Sequence, residues 1–111
     1  MSQWIAVAQV SDCPPGASLE VIAGDRIVAL FNIDGSIFAL DGICPHQGGP
    51  LGQGSLEGNV VTCPWHGWQF NACTGQHQLS SKITQPRLPV RIEDGTILVD
   101  CADGDREQPV E

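Results

Sequence analysis

The sequence predicts an all-β fold, an antiparallel sandwich or small barrel. Three observations predict it. Apolar and polar residues alternate over short runs, Asp-Gly pairs stand between such runs, and thirteen Gly with eight Pro interrupt the chain too often for long helices. No segment carries a sustained helical period.

Residues 4–10 alternate closely enough to form a first strand. Residues 19–23 and 26–33 flank a turn at Gly24-Asp25, and 36–40 follows the turn Asp34-Gly35. Asp-Gly between two such runs favours a two-residue hairpin turn, because both positions need positive φ. The same pair recurs as Asp94-Gly95 between 90–92 and 96–99, while 59–62 and 68–71 bracket a loop bearing Cys63 and His66. Polar residues 75–81 read as a loop, which places His77 on the surface. Taken by themselves, residues 81–86 read as an ordinary connection. With 111 residues and 41% hydrophobic content, the chain suits one domain over residues 1–111, its acidic end at 102–111 frayed.

The chemistry is concentrated in two segments, Cys44-Pro45-His46 and Cys63-Pro64-Trp65-His66, separated by sixteen residues. Each brings one thiolate and one imidazole on a loop rich in Pro and Gly, so four ligands of two kinds can converge on one metal centre. A [2Fe–2S] cluster in which two His replace two Cys needs this mixture. Structural zinc is the competing reading, but zinc fingers usually pair Cys with Cys and His with His, and Cys-x-His is too short for the usual knuckle.

The chain resembles the Rieske ferredoxins well beyond these four residues. His46 is followed by Gln47-Gly48-Gly49-Pro50-Leu51 and His66 by Gly67-Trp68-Gln69-Phe70, similar to the glycine-bearing segments after the ligands in that family. Residues 71–75, Asn-Ala-Cys-Thr-Gly, resemble the turn that follows. The resemblance runs from Trp4 to Asp100. It implies one [2Fe–2S] cluster per chain, held by Cys44 and Cys63 on an inner iron and by His46 and His66 on an outer, more exposed one. It also implies that Gln47, Pro50, Leu51, Trp65, Trp68 and Pro86 support the cluster or meet partners. Pro86 belongs to the segment similar to the family's third, cluster-covering loop.

The redox consequence follows from counting charge. Two ferric irons, two sulfides and two thiolates sum to zero, whereas four thiolates leave the oxidised cluster at minus two, so an electron is easier to add to the mixed site. Rieske potentials accordingly span roughly −150 to +300 mV, against about −400 mV for the plant type. High-potential members carry a disulfide between the loops and donate Ser and Tyr hydroxyls to the cluster. The aligned positions here are Gly49 with Trp65, and Trp68 with Phe70, none of which can do either. A potential near the low end, on the order of −150 mV, is expected.

Composition narrows the class. No catalytic domain fits, since an oxygenase iron site takes two His and a carboxylate and only His77 remains after the cluster takes its two. Five Cys, an odd three of them outside the ligand set, suit a reducing cytoplasm, and neither a signal sequence nor an apolar run approaching ~20 residues appears. Five bases against thirteen acids argue against nucleic acid. Within residues 42–81 Glu57 is the only charged side chain, which leaves a neutral, partly apolar tip on a body of net charge −8. Such a surface suits transient docking of a monomer with redox partners. The resemblance implies an electron carrier between a flavin-dependent reductase and a terminal oxygenase. The alternative is a Rieske-like small subunit of a nitrite-reductase-type complex.

Overall fold

The computed structural model describes residues 4–24, 26–42, 50–64, 67–78, 83–85 and 87–100. Within them lie ten strands: β1 (Trp4–Gln9), β2 (Ser18–Ala23), β3 (Arg26–Ile33), β4 (Ser36–Asp41), β5 (Ser55–Glu57), β6 (Val60–Thr62), β7 (Gln69–Asn71), β8 (Arg87–Leu88), β9 (Val90–Glu93) and β10 (Thr96–Asp100). Two 3₁₀ turns, Val10–Asp12 and Leu51–Gln53, complete the described elements. Every strand pairing is antiparallel, in three sheets ordered β1-β10-β9, β2-β3-β4-β8 and β5-β6-β7. None of the three closes on itself. Of the two expected shapes the sandwich is found and the barrel is not.

The hairpins expected at Asp-Gly are present. Asp34 and Gly35 have φ of 54° and 92°, Asp94 and Gly95 52° and 79°, and the flanking pairs Ile33↔Ser36 and Glu93↔Thr96 leave two residues in each turn. This mirror-image turn follows the right-handed twist of its strands. Asn32 braces the first of them: its side-chain carbonyl accepts the Gly35 N–H at 2.8 Å, while Nδ2 donates to the Cys13 carbonyl at 2.7 Å.

Strand β3 organises the packing. Successive side chains of a strand face opposite ways, and here both faces are covered. Val28 and Leu30 join Cys13, Val21, Ala39, Ile97 and Val99 in one core, whereas Ala29 and Phe31 join Leu40, Leu51, Val61, Cys63 and Phe70 in another. The four-stranded sheet is therefore a middle layer, with β1-β10-β9 against one face and β5-β6-β7 against the other. That explains why 27–31 reads Ile-Val-Ala-Leu-Phe without polar interruption. Strands β5 and β8 were not anticipated, being three and two residues long, too short for a periodic pattern.

Burial pushes the Cys13 thiol above its ordinary value of 9.0, an effect only partly offset by a backbone hydrogen bond from Asn32. The unfolded chain thus loses this proton first, so the stability contributed here is full below pH 9.0 and is lost as pH rises through the higher folded value. The margin of wild type over Cys13→Ala should shrink between roughly pH 8 and pH 10 in chemical denaturation; a constant margin would contradict the burial of this thiol. In the same assay Phe31→Ala should cost about 3–5 kcal/mol, and the 65%-exposed Ile22→Ala within about 0.5 kcal/mol. Comparable losses for the two variants would contradict the two-core arrangement.

Candidate metal centre

Cys63, at the end of β6, anchors the described part of the site. It is 1% exposed, packed in the core that β3 shares with the small sheet. Its backbone N–H donates to the Trp68 carbonyl at 2.7 Å, closing the neck of the loop between β6 and β7 just above the pair Thr62↔Gln69. The Gln69 amide reinforces that neck by donating to Thr62 Oγ1 at 3.1 Å. Gly67, with φ +72°, supplies the left-handed residue that the return needs.

The first candidate loop leaves β4 through a similar neck. Gly42 N–H donates to the Ile27 carbonyl at 3.0 Å, and Leu51 N–H returns to the Gly42 carbonyl at 2.9 Å. A Cβ at Gly42 would lie 2.8 Å from Ile27 Cγ2 and 3.1 Å from the Ile27 carbonyl, so a side chain there would force the neck to shift. Cys44, His46, Gln47, Trp65, His66 and Pro86 lie outside the described residues. Among the described ones no three metal-ligating side chains gather, as expected when three of the four candidate ligands fall elsewhere.

A thiol so buried, at a loop neck with apolar residues around it, suits a ligand on the protein-facing side of a cluster. A thiolate there requires a positive partner to be tolerated, and two ferric irons supply one. The donor chemistry of the two loops therefore fits the inner half of a mixed Cys/His cluster.

Two expectations are corrected. Leu51, placed with the partner-docking residues of the tip, is 0% exposed and packs in the core with Phe31 and Phe70; the 3₁₀ turn Leu51–Gln53 turns it inward against β2 and β3. His77, expected on the surface, is 8% exposed. Its ring meets Trp68 edge-on at 4.6 Å and Phe70 at 5.2 Å, because residue 77 bridges to Phe70 alongside β7. Gly75 and His77 are buried while Gln76 and Gln78 are exposed, a strand-like period of two that this uniformly polar stretch does not show in its sequence. Pro50 is half-buried, as is Trp68, which sits one residue before β7 rather than on a strand. Trp4 lies on β1 as expected, with the Arg91 guanidinium 4.4 Å from its ring centroid. Residues 83–85 do not run free; His77 N–H donates to the Ile83 carbonyl at 2.9 Å, and Thr84 bridges to Gln76.

The family model of the Rieske [2Fe-2S] domain matches residues 3–91. The chain belongs to this family. The ferredoxin component of the naphthalene 1,2-dioxygenase system of Pseudomonas putida is 34% identical over 102 residues, covering 90% of this chain and 97% of that protein. A solved complex of reduced oxygenase and oxidised ferredoxin in carbazole 1,9a-dioxygenase contains a chain 32% identical, with a TM-score of 0.77 over 87% of this chain and 92% of that one. A putative NADH-dependent nitrite reductase small subunit from Mycobacterium tuberculosis superimposes with a TM-score of 0.82, covering 92% of this chain and 97% of that one. At 24% identity that likeness shows the fold alone. The cofactor of this Rieske domain is a [2Fe–2S] cluster, and the protein is a ferredoxin-type electron carrier rather than a catalyst. Among the described residues no helix is long and apolar enough to cross a membrane.

Substituting Trp68 tests how the neck holds the second loop. Trp68→Ala removes the ring that covers His77 and should destabilise the protein by about 3 kcal/mol or more, whereas Trp68→Phe should recover most of the loss. Thermal unfolding of the two variants measures this, and equal losses would contradict an aromatic packing role.

Proposed function

We propose that this Rieske protein is a low-potential ferredoxin that carries single electrons from a flavin-dependent reductase to a terminal oxygenase. Cys44 and Cys63 hold the inner iron, and His46 and His66 hold the outer iron of one cluster, within a single domain spanning residues 1–111. The observation that carries the reading is likeness along nearly the whole of a ferredoxin component, 90% of this chain against 97% of that protein. When bound, the cluster supplies a one-electron couple. The protein holds it by two loop necks above a two-sided core, and the neutral surface around it lets a partner approach.

Several observations support the finer points. Trp68 and Phe70 carry no hydroxyl, so neither position provides the donor that would stabilise the reduced state. Among described residues 50–64 and 67–78, Glu57 is the only acid and neither Lys nor Arg occurs, which keeps long-range charge off this part of the chain. That division supports transient encounter with oxygenase and reductase by a monomer: an acidic body steers association, and a small neutral contact permits rapid release. Thiols at Cys13 and Cys73 suit a reducing cytoplasm. The nitrite-reductase-type alternative has fold likeness behind it and no more.

A redox titration of purified holoprotein should place the midpoint at the low end of the Rieske range, on the order of −150 mV. A value above roughly +100 mV would contradict the low-potential assignment.

A further inference from the structure

Among the described residues three polar side chains are buried: Asn32, His77 and Gln85. Asn32 serves its own turn, and His77 packs between two aromatic rings. Gln85 is 1% exposed and joins segments far apart in sequence. Its Nε2 donates to the Asp41 carbonyl at 2.6 Å, across 44 residues, and its backbone N–H donates to the Gly75 carbonyl at 2.6 Å. Gly75 adopts φ +83°, and a Cβ there would collide with the Gln85 carbonyl. The contact is therefore backbone against backbone.

The positions reached are informative. Asp41 ends β4, immediately before Gly42 at the neck of the first ligand loop. Gly75 closes the turn that follows β7, the strand leaving the second loop, where its N–H donates to the Asn71 carbonyl at 2.7 Å. One residue thus ties the root of one ligand loop to the exit of the other. The neighbouring pairings of Ile83 with His77 and Thr84 with Gln76 hold it in place.

Resting on the ligand assignment above, we propose that Gln85 is a positioning residue for the cluster, a buried amide clamp that sets the separation of the two ligand loops. Each loop contributes one thiolate and one imidazole, so each can keep its own pair in shape through its own neck. What neither neck controls is the distance between pairs. A chelate of four ligands holds its metals tightly only when that distance is fixed in advance. An amide donor on a side chain this buried suits the task, because solvent replaces it poorly once it is lost.

The test uses holoprotein carrying Gln85→Leu, which removes the donor while keeping an apolar side chain of similar bulk. The comparison is Val99→Ala, a cavity variant in the opposite core. Cluster loss in the presence of an iron chelator is followed by visible absorbance, alongside the paramagnetic resonance spectrum, the redox midpoint and global unfolding. Gln85→Leu should lose its cluster about tenfold faster than wild type, with a broadened spectrum and a displaced midpoint. Val99→Ala should keep wild-type values for all three even when it unfolds as easily. If Gln85→Leu fails to accumulate, Gln85→Met keeps the length of the side chain, removes the donor, and is read in the same way. Wild-type spectrum, midpoint and loss rate in the Gln85 variant would overturn the clamp. A wild-type protein lacking a Rieske signal would instead overturn the ligand assignment on which the clamp rests.

Discussion

Burial of β3 on both faces is the constraint from which the rest of the architecture follows, because a strand with no solvent face must have a layer on each side. One side is met by Ile97 and Val99 of β10, the other by Val61 and Phe70 of the small sheet. That second layer carries Cys63. The segment bearing the candidate ligand is therefore pinned by the same apolar contacts that hold the middle sheet, and it cannot shift without opening a core. A fixed scaffold is what an electron carrier needs, since its ligands should change little in geometry when the charge changes.

Each loop springs from a narrow neck. At one, the Cys63 N–H meets the Trp68 carbonyl; at the other, Leu51 returns to Gly42. These bonds fix the backbone at the base of each loop. Leu51 makes the point in packing terms, since it closes the first neck with its backbone and fills the core with its side chain. The loops and the interior are coupled through single residues of this kind.

What could be read in advance divides along physical lines. The Asp-Gly turns were legible because they demand a backbone conformation few residue pairs accept, and the ligand motif because its chemistry survives without any knowledge of the fold. The unbroken apolar run of β3 carried its two-sided burial openly, yet the division into three sheets needed the partners of each face. Leu51 was misplaced because a stretch with almost no charge reads as an exposed neutral tip, whereas a 3₁₀ turn points this side chain into the core. His77 and Gln85 stayed hidden for a related reason. A polar residue in a polar stretch gives no local sign that a distant segment will cover it. Of the four candidate ligands, the structure describes Cys63.

Charge separates two tasks, since twelve of the thirteen acids lie outside residues 42–81 and the loops of that stretch, which bear the ligand motif, are almost uncharged. The central claim is that those loops hold a mixed-ligand iron–sulfur cluster, and its most direct test is metal and acid-labile sulfide analysis of the purified protein together with electron paramagnetic resonance after reduction. Iron and sulfide in equal amounts, with a Rieske signal, is the outcome expected. A colourless protein that contains zinc and stays silent on reduction after proper reconstitution would contradict it.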